Sequence, residues 1–102
     1  MEDFYLFMST IGVFYSDIEW ARKIISGYYK QLPKEMIQSY INSDNNICLE
    51  FRNGTVIRAI PGDTNARGQR VDRAIIQRTI SEENIRTRIL PCLSRPTIYY
   101  RK

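Results

Sequence analysis

The sequence contains no histidine and only two cysteines among its 102 residues. Without histidine the chain cannot build Ser-His-Asp or Cys-His nucleophilic catalysis or a zinc site that uses imidazole. Cys48 and Cys92 provide no disulfide framework, so we expect a reducing compartment. No apolar run approaches the roughly 20 residues of a membrane-spanning helix. The chain starts with acidic residues, unlike a secretory signal. We therefore expect a cytoplasmic protein without membrane association.

The composition is that of an ordinary globular domain. Hydrophobic residues make up 43% and charged residues 25%, which excludes a disordered or fibrous chain, and this length predicts a single domain over 1–102. The charge is uneven: residues 1–51 carry four basic and seven acidic side chains (net −3), and residues 52–102 carry eleven and four (net +7). Ten of the eleven arginines lie in the second half. Arginine suits bidentate contact with phosphate or carboxylate groups.

Three segments have helical patterns. Ser16 and Glu19 have the spacing of a capping box, which predicts a helix over 17–30. Pro33 suits the first turn of a second short helix. Ser81 is a candidate cap for a last helix that ends at Pro91. The predicted apolar faces are Met36, Ile37, Tyr40 and Ile41 in the second helix, and Ile85, Ile89 and Leu90 in the last.

Strand patterns are clearest around an Asn-Gly turn at residues 53–54, which predicts a hairpin over 47–60. Residues 71–76 read as a further strand and residues 97–100 as a terminal one, whereas residues 4–15 fit either a buried strand or a short buried helix. The expected fold class is α+β, or a fragment of an α/β domain. In it a small sheet around the hairpin has helices packed on one face.

The loop over 61–70 has almost no hydrophobic residue and is the main candidate binding segment. It carries two guanidinium groups beside a glycine, a pattern that suits a phosphate or a protein partner. The alternative is that these arginines bond loop carbonyls or pair with Asp63 or Asp72. The candidate binding residues of this region are Arg67, Gly68, Arg70, Arg73 and Arg78.

The end of the chain combines aromatic and basic residues. Tyrosine rings beside arginines can stack on single-stranded bases, although packing within the sheet is an equally simple role. The candidates for nucleic-acid or partner contact are Arg95, Tyr99, Tyr100 and Arg101. Glu82 and Glu83 are explained by the first turn of a helix. We predict no catalytic residue, no metal ligand and no cofactor.

Two consecutive stretches, LEFRNGTVIRAI (49–60) and NARGQRVD (65–72), together resemble the ATPase domain of phage large terminase subunits. These DNA-packaging motors show an apolar-Phe-x-Asn-Gly-Ser/Thr hairpin and then a loop bearing Ala-Arg-Gly-x-Arg. A strand that ends in the acidic Walker B pair follows. The order and spacing agree, and the similarity extends from about residue 17 to residue 100.

The resemblance comes with two departures. The Walker A pattern Gly-x-x-x-x-Gly-Lys-Ser/Thr does not occur. Gln77 and Arg78 stand where the family has its acidic pair, and they cannot hold magnesium or polarise the attacking water. The resemblance therefore implies an ATPase-domain fragment that does not hydrolyse ATP. It also implies that Arg67 corresponds to a loop arginine proposed to act on the nucleotide of a neighbouring subunit.

These observations lead to an expected function without catalysis. The first expectation is a terminase-like phage protein that acts through protein–protein contact, as a decoy, regulator or remnant of a packaging motor in the infected bacterial cytoplasm. A second is a small phage inhibitor of a host defence or nucleic-acid enzyme. A third is an arginine-rich nucleic-acid-binding module, for which strong salt dependence would be diagnostic.

Overall fold

The fold is built around a six-stranded mixed sheet. The computed structural model describes residues 9–63, 71–92 and 98–101. The strands are β1 (Thr10–Tyr15), β2 (Ile37–Asn42), β3 (Ile47–Phe51), β4 (Val56–Pro61), β5 (Arg73–Gln77) and β6 (Ile98–Arg101). Helix α1 (Ile18–Gln31) follows β1, and a 3₁₀ turn (Lys34–Met36) precedes β2. The second helical segment joins α2 (Glu82–Asn84), a π-helical turn (Ile85–Ile89) and a 3₁₀ turn (Leu90–Cys92).

The strand order is β2-β3-β4-β1-β5-β6. The pairs β4–β1, β1–β5 and β5–β6 are parallel, whereas the pairs β2–β3 and β3–β4 are antiparallel. The parallel strands lie in the middle and at one side of the sheet. The predicted α+β class, with the sheet built around the 47–60 hairpin, is confirmed. For residues 4–15 the sequence allowed a strand or a short helix, and Thr10–Tyr15 form a strand. Residues 1–8 lie outside the described part of the chain.

The hairpin between β3 and β4 closes through a glycine turn. The amide of Gly54 donates to the carbonyl oxygen of Phe51 (3.1 Å), and the amide of Phe51 donates to that of Thr55 (2.8 Å). The Asn53 side chain accepts from the amide of Thr55 at 2.9 Å. Gly54 has φ 93°, a conformation that residues with a Cβ rarely adopt. The Asn-Gly signal therefore marks the turn correctly.

The predicted helix over 17–30 is confirmed, but its predicted cap is wrong. Asp17 is the N-cap, and its carboxylate accepts from the amide of Glu19 at 3.1 Å. The hydroxyl of Ser16 instead donates to the side chain of Gln77. The capping box does not form because the Ser16 hydroxyl, which the local pattern assigns to the cap, is bonded to Gln77 of β5. Gln77 is distant from Ser16 in the sequence.

The predicted second helix is also wrong beyond its first turn. Residues 37–42 form β2, which pairs with β3. A bulge between Ile37 and Ser39 shifts the register, so that Ile37 and Tyr40 both pack against the same core although they are three residues apart. This spacing of apolar residues is the same as on one face of a helix. Only the pairing with β3 distinguishes the bulged strand from a helix. Ile41, predicted to be buried, is 45% exposed.

The expectation of helices on one face is corrected, because each face of the sheet has its own helical cover. Adjacent β1 residues Val13 and Phe14 point to opposite faces and are both buried. The cluster on the α1 face contains Val13, Ala21, Ile25, Ile47, Leu49, Phe51, Ile57 and Ile75. The cluster under the second helical segment contains Phe14, Ile60, Val71, Ala74, Ile76, Ile80, Ile85 and Ile89. A strand that is apolar on both sides needs cover on both sides.

The second helical segment begins as predicted and ends differently. Ser81 caps it by accepting from the amide of Asn84 at 3.2 Å. Ile85 and Ile89 are buried, but Leu90, which was predicted to lie on the same apolar face, is 41% exposed. Pro91 lies inside the final 3₁₀ turn rather than ending the helix before it. Within the described residues, no helix combines the length and the apolar character needed to cross a bilayer.

The glycine turn gives a paired test of the hairpin. We expect Gly54→Ala to lower the free energy of unfolding by about 1–2 kcal/mol, because its φ of 93° strains any residue with a Cβ. Gly27→Ala is the matched control: Gly27 lies within α1 and a Cβ there meets no atom within 4 Å. It should raise stability by about 0.5–1 kcal/mol. Urea unfolding of both variants measures the two changes in the free energy of unfolding. A Gly54→Ala variant as stable as the wild type would contradict the described conformation of the turn.

Candidate functional site

The carboxyl ends of β1, β4 and β5 meet at one edge of the sheet. After β1 the chain enters α1 on one face, and after β5 it enters the second helical segment on the other. Such a switch between adjacent parallel strands opens a crevice, where ligands bind in open α/β sheets. A cleft of about 460 Å³ opens here. Its lining residues are Tyr15, Ser16, Pro61, Gly62, Asp63, Thr79, Ile80, Ser81 and Asn84.

Gln77, the last residue of β5, connects the two sides of this crevice. Its side-chain carbonyl oxygen accepts from the backbone amides of Ser16 (2.9 Å) and Asp17 (3.1 Å) and from the hydroxyl of Ser16 (3.1 Å). The same Ser16 hydroxyl also bonds the hydroxyl of Thr79. Gln77 is only 8% exposed, whereas Ser16 and Asp17 are exposed, so the three hydrogen bonds to the Gln77 oxygen are partly buried. We name this arrangement the Gln77 latch: it fixes the β1–α1 turn against the end of β5.

The cleft itself is polar and carries a negative charge. Burial raises the pKa of the Tyr15 phenol, and the carboxylate of Asp63 raises it further because it disfavours a second negative charge nearby. The Tyr15 carbonyl oxygen accepts from the amide of Gly62 at 2.8 Å, which holds the ends of β1 and β4 together. None of the described lining residues is basic. This lining therefore favours hydrogen-bond donors or cations over a phosphate.

Several polar groups of the lining are already bonded to one another. Ser81 is engaged as the cap of α2, and the side-chain oxygen of Asn84 accepts from the guanidinium of Arg88 at 3.2 Å. The described residues hold no group of three or more acidic, cysteine or histidine side chains placed to bind a metal ion. The chemistry that this lining supports is hydrogen bonding and charge recognition.

The predicted arginine site is only partly within the described residues. Arg67, Gly68 and Arg70 lie outside them. Arg73 begins β5 and Arg78 follows its end, where Arg78 is exposed beside the cleft. The structure therefore separates these two by the length of the strand, about 16 Å at the usual rise per residue. Arg78 alone of this pair lies at the cleft edge.

The predicted contact residues near the end of the chain divide in the same way. Arg95 lies outside the described residues, whereas Tyr99, Tyr100 and Arg101 belong to β6. In the parallel register Tyr99 pairs with Ile75, and Arg101 is level with Gln77. Arg101 therefore sits at the carboxyl edge of the sheet, one strand from the latch.

The tyrosines of α1 make their contacts within the protein. The rings of Tyr29 and Tyr40 stack with centroids 4.2 Å apart. The Lys34 ammonium lies 3.3 Å from the centre of the Tyr29 ring. Tyr28 packs against the α1-face core. These contacts fix the end of α1 against β2.

Sequence reasoning placed Pro61, Gly62 and Asp63 in the candidate binding loop but did not group them with the residues that follow β1 and β5. Ser16, Asp63 and Gln77 each stand at or just after the end of a strand whose preceding residues are buried. Because the carboxyl ends of parallel strands share one edge, this position is the signal that could have grouped them. This signal could not be used because the sequence does not show that β1, β4 and β5 are neighbours in the sheet.

Comparison of the chain with protein-family models, with curated proteins and with solved structures finds no match. The site is therefore interpreted from its own geometry.

The latch has a direct stability test. We expect Gln77→Ala to lower the free energy of unfolding by about 1–3 kcal/mol, because it leaves the amides of Ser16 and Asp17 without their acceptor. Gln77→Glu should lower the free energy of unfolding by a smaller amount, since glutamate keeps an acceptor oxygen and adds a negative charge near the start of α1. Urea unfolding measures both.

Gln31→Ala is the control for these variants, because Gln31 is an exposed glutamine at the end of α1. It should change stability by less than about 0.5 kcal/mol. If Gln77→Ala changed stability no more than Gln31→Ala, the latch would not contribute to the fold as described.

Proposed function

We propose that this chain is a non-catalytic, terminase-like protein that acts by binding a protein partner through the carboxyl edge of its sheet. The observation that carries the proposal is the bonding of Gln77. The resemblance aligns Gln77 with the start of the acidic pair that holds magnesium in the packaging motors. Here the position holds a neutral amide whose oxygen is bonded to Ser16 and Asp17.

The chemistry of this position argues against phosphoryl transfer by the chain. A carboxylate at the end of the strand must bind the metal and polarise water. An amide oxygen that accepts three hydrogen bonds has no charge to offer and is already engaged in joining β5 to the β1–α1 turn. The geometry of this edge would then serve recognition instead of hydrolysis.

The binding surface that we propose combines the cleft with the arginine loop that follows it in the chain. Gly62 and Asp63 line the cleft, and residues 64–70, which carry Arg67, come directly after them. Along the chain, hydrogen-bonding groups and a carboxylate of the cleft are thus followed directly by a segment that carries guanidinium groups. Such mixed chemistry suits a protein surface that carries both kinds of charge.

Although Arg78 and Arg101 lie at the same edge, the acidic charge in and beside the cleft favours a protein partner over a nucleic-acid backbone. Asp63 lies in the cleft, and the exposed Glu82 and Glu83 begin the second helical segment beside it. Carboxylates repel phosphate groups, whereas a protein partner can supply matching donors. The two other functions, an inhibitor of a host enzyme and a nucleic-acid-binding module, differ in the partner and are separated by the next experiment.

The partner test is affinity capture from a lysate of phage-infected cells, with and without nuclease. We expect a large terminase subunit to be captured in both cases. Thr79→Arg should abolish capture, because its long side chain enters the cleft, while Thr87→Arg, the same change at an exposed position outside the cleft lining, should not. Capture of a host defence protein would support the inhibitor function, and loss of every partner after nuclease would support the nucleic-acid module.

The arginine loop is tested on a purified motor. We expect the wild-type chain to change the ATPase rate of an intact large terminase subunit, and Arg67→Ala to remove that effect. Arg86→Ala is the control, because Arg86 is an exposed arginine of the second helical segment. Circular dichroism checks that both variants fold. An effect that survives Arg67→Ala would remove Arg67 from the proposal.

A further inference from the structure

The edge strand β2 has one side available for pairing. It is the first strand in the sheet order, and β3 is its neighbour on the inner side. On the outer side no other strand of the described residues pairs with it. In an edge strand, alternate residues direct their N–H and C=O groups outward, where another strand can bond them.

This edge lacks the usual protection against pairing. The six residues of β2, IQSYIN, include no charged residue and no proline. Its irregularity is the bulge between Ile37 and Ser39, which lies near its start and leaves residues 39–42 in regular register with β3. The uncharged run extends over residues 36–43 in a chain of which 25% is charged. Lysine, proline and charge are the devices that normally block an edge.

A large apolar side chain is exposed on this strand. Ile41 is 45% exposed and is level with Cys48 of β3. Tyr40, the preceding residue, packs towards α1, so Ile41 lies on the opposite face of the sheet. Among the described residues, Leu90 is the other exposed large hydrophobic side chain.

The end of β2 is also held in place. The guanidinium of Arg22 donates to the carbonyl oxygens of Ser43 (3.0 Å) and Asp44 (3.2 Å) and bonds the side chain of Asn42. Near its middle, Tyr40 stacks on Tyr29 of α1. A strand that is fixed in this way loses little conformational freedom when another strand adds to it.

We propose that β2 pairs antiparallel with β2 of a second copy of this chain, which joins the two sheets into one. A two-fold axis perpendicular to the sheet keeps residues of one face opposite residues of the same face. Ile41 then meets Ser39 or Ile41 of the second copy. This proposal is independent of the function proposed above.

The charge pattern selects a second copy as the occupant. In a two-fold pair the residues at the axis meet the same residues of the second copy, so a charged side chain there would face a like charge. The uncharged run over 36–43 avoids this repulsion, although the whole chain carries a net charge of +4. Two copies of a basic protein repel each other less when the surfaces that meet carry no charge.

The test is sedimentation velocity of the full chain over a range of concentrations. We expect a reversible monomer–dimer equilibrium. Ile41→Lys should raise the dimer dissociation constant by about tenfold or more, because it places an ammonium group beside the shared axis in both copies. Leu90→Lys is the matched control, since Leu90 has nearly the same exposure (41%) and lies on the second helical segment. It should leave the dissociation constant unchanged.

Three outcomes would overturn the proposal. They are a wild-type chain that stays monomeric at its highest soluble concentration, equal weakening by Ile41→Lys and Leu90→Lys, and a chain that remains monomeric while an added extended peptide binds to β2. Circular dichroism of Ile41→Lys confirms that the variant is folded. A second measurement is amide hydrogen exchange: protection of residues 39–42 should increase with protein concentration in the wild type.

Discussion

The hydrogen bonds of the Gln77 side chain are the constraint on which this structure depends. One carbonyl oxygen accepts from two backbone amides and a hydroxyl, and so joins the end of β5 to the turn that starts α1. That turn sends the chain to one face of the sheet, while the segment after β5 covers the other. The latch therefore joins the β1–α1 turn to the end of β5. The chain leaves these two points towards opposite faces of the sheet, and the cleft opens there. Without an acceptor at this position, the amides of Ser16 and Asp17 would lose their partly buried hydrogen bonds.

The same interaction links the fold to the proposed function. The end of a central parallel strand beside a switch of faces is where open α/β sheets bind ligands and where a catalytic acid is well placed. This chain has an amide there, and the amide is engaged in structure. The remaining groups of the cleft, among them the Asp63 carboxylate and the Tyr15 phenol, support recognition. This use of the groups is the basis of the proposal that the chain binds a partner without catalysis.

Local patterns predicted the elements well where the local sequence decides them. The Asn-Gly hairpin and the helix after Asp17 are examples, because turn conformation and helical periodicity are properties of consecutive residues. The sequence could not reveal that Ile37 belongs to a bulged strand, since the bulge imitates helical spacing and only pairing with β3 decides. The cleft was missed for a related reason: Ser16 and Gln77 are 61 residues apart, and their contact depends on strand order.

The most direct test of this account is amide hydrogen exchange at Ser16 and Asp17, followed by NMR spectroscopy in the wild-type chain. Both amides donate to the buried side chain of Gln77, so they should exchange as slowly as the central amides of β1 and β5. Slow exchange of both would establish that the end of β5 fixes the start of α1. Exchange as fast as in an exposed turn would show that the latch does not hold, and the assignment of Gln77 to structure instead of chemistry would fail with it.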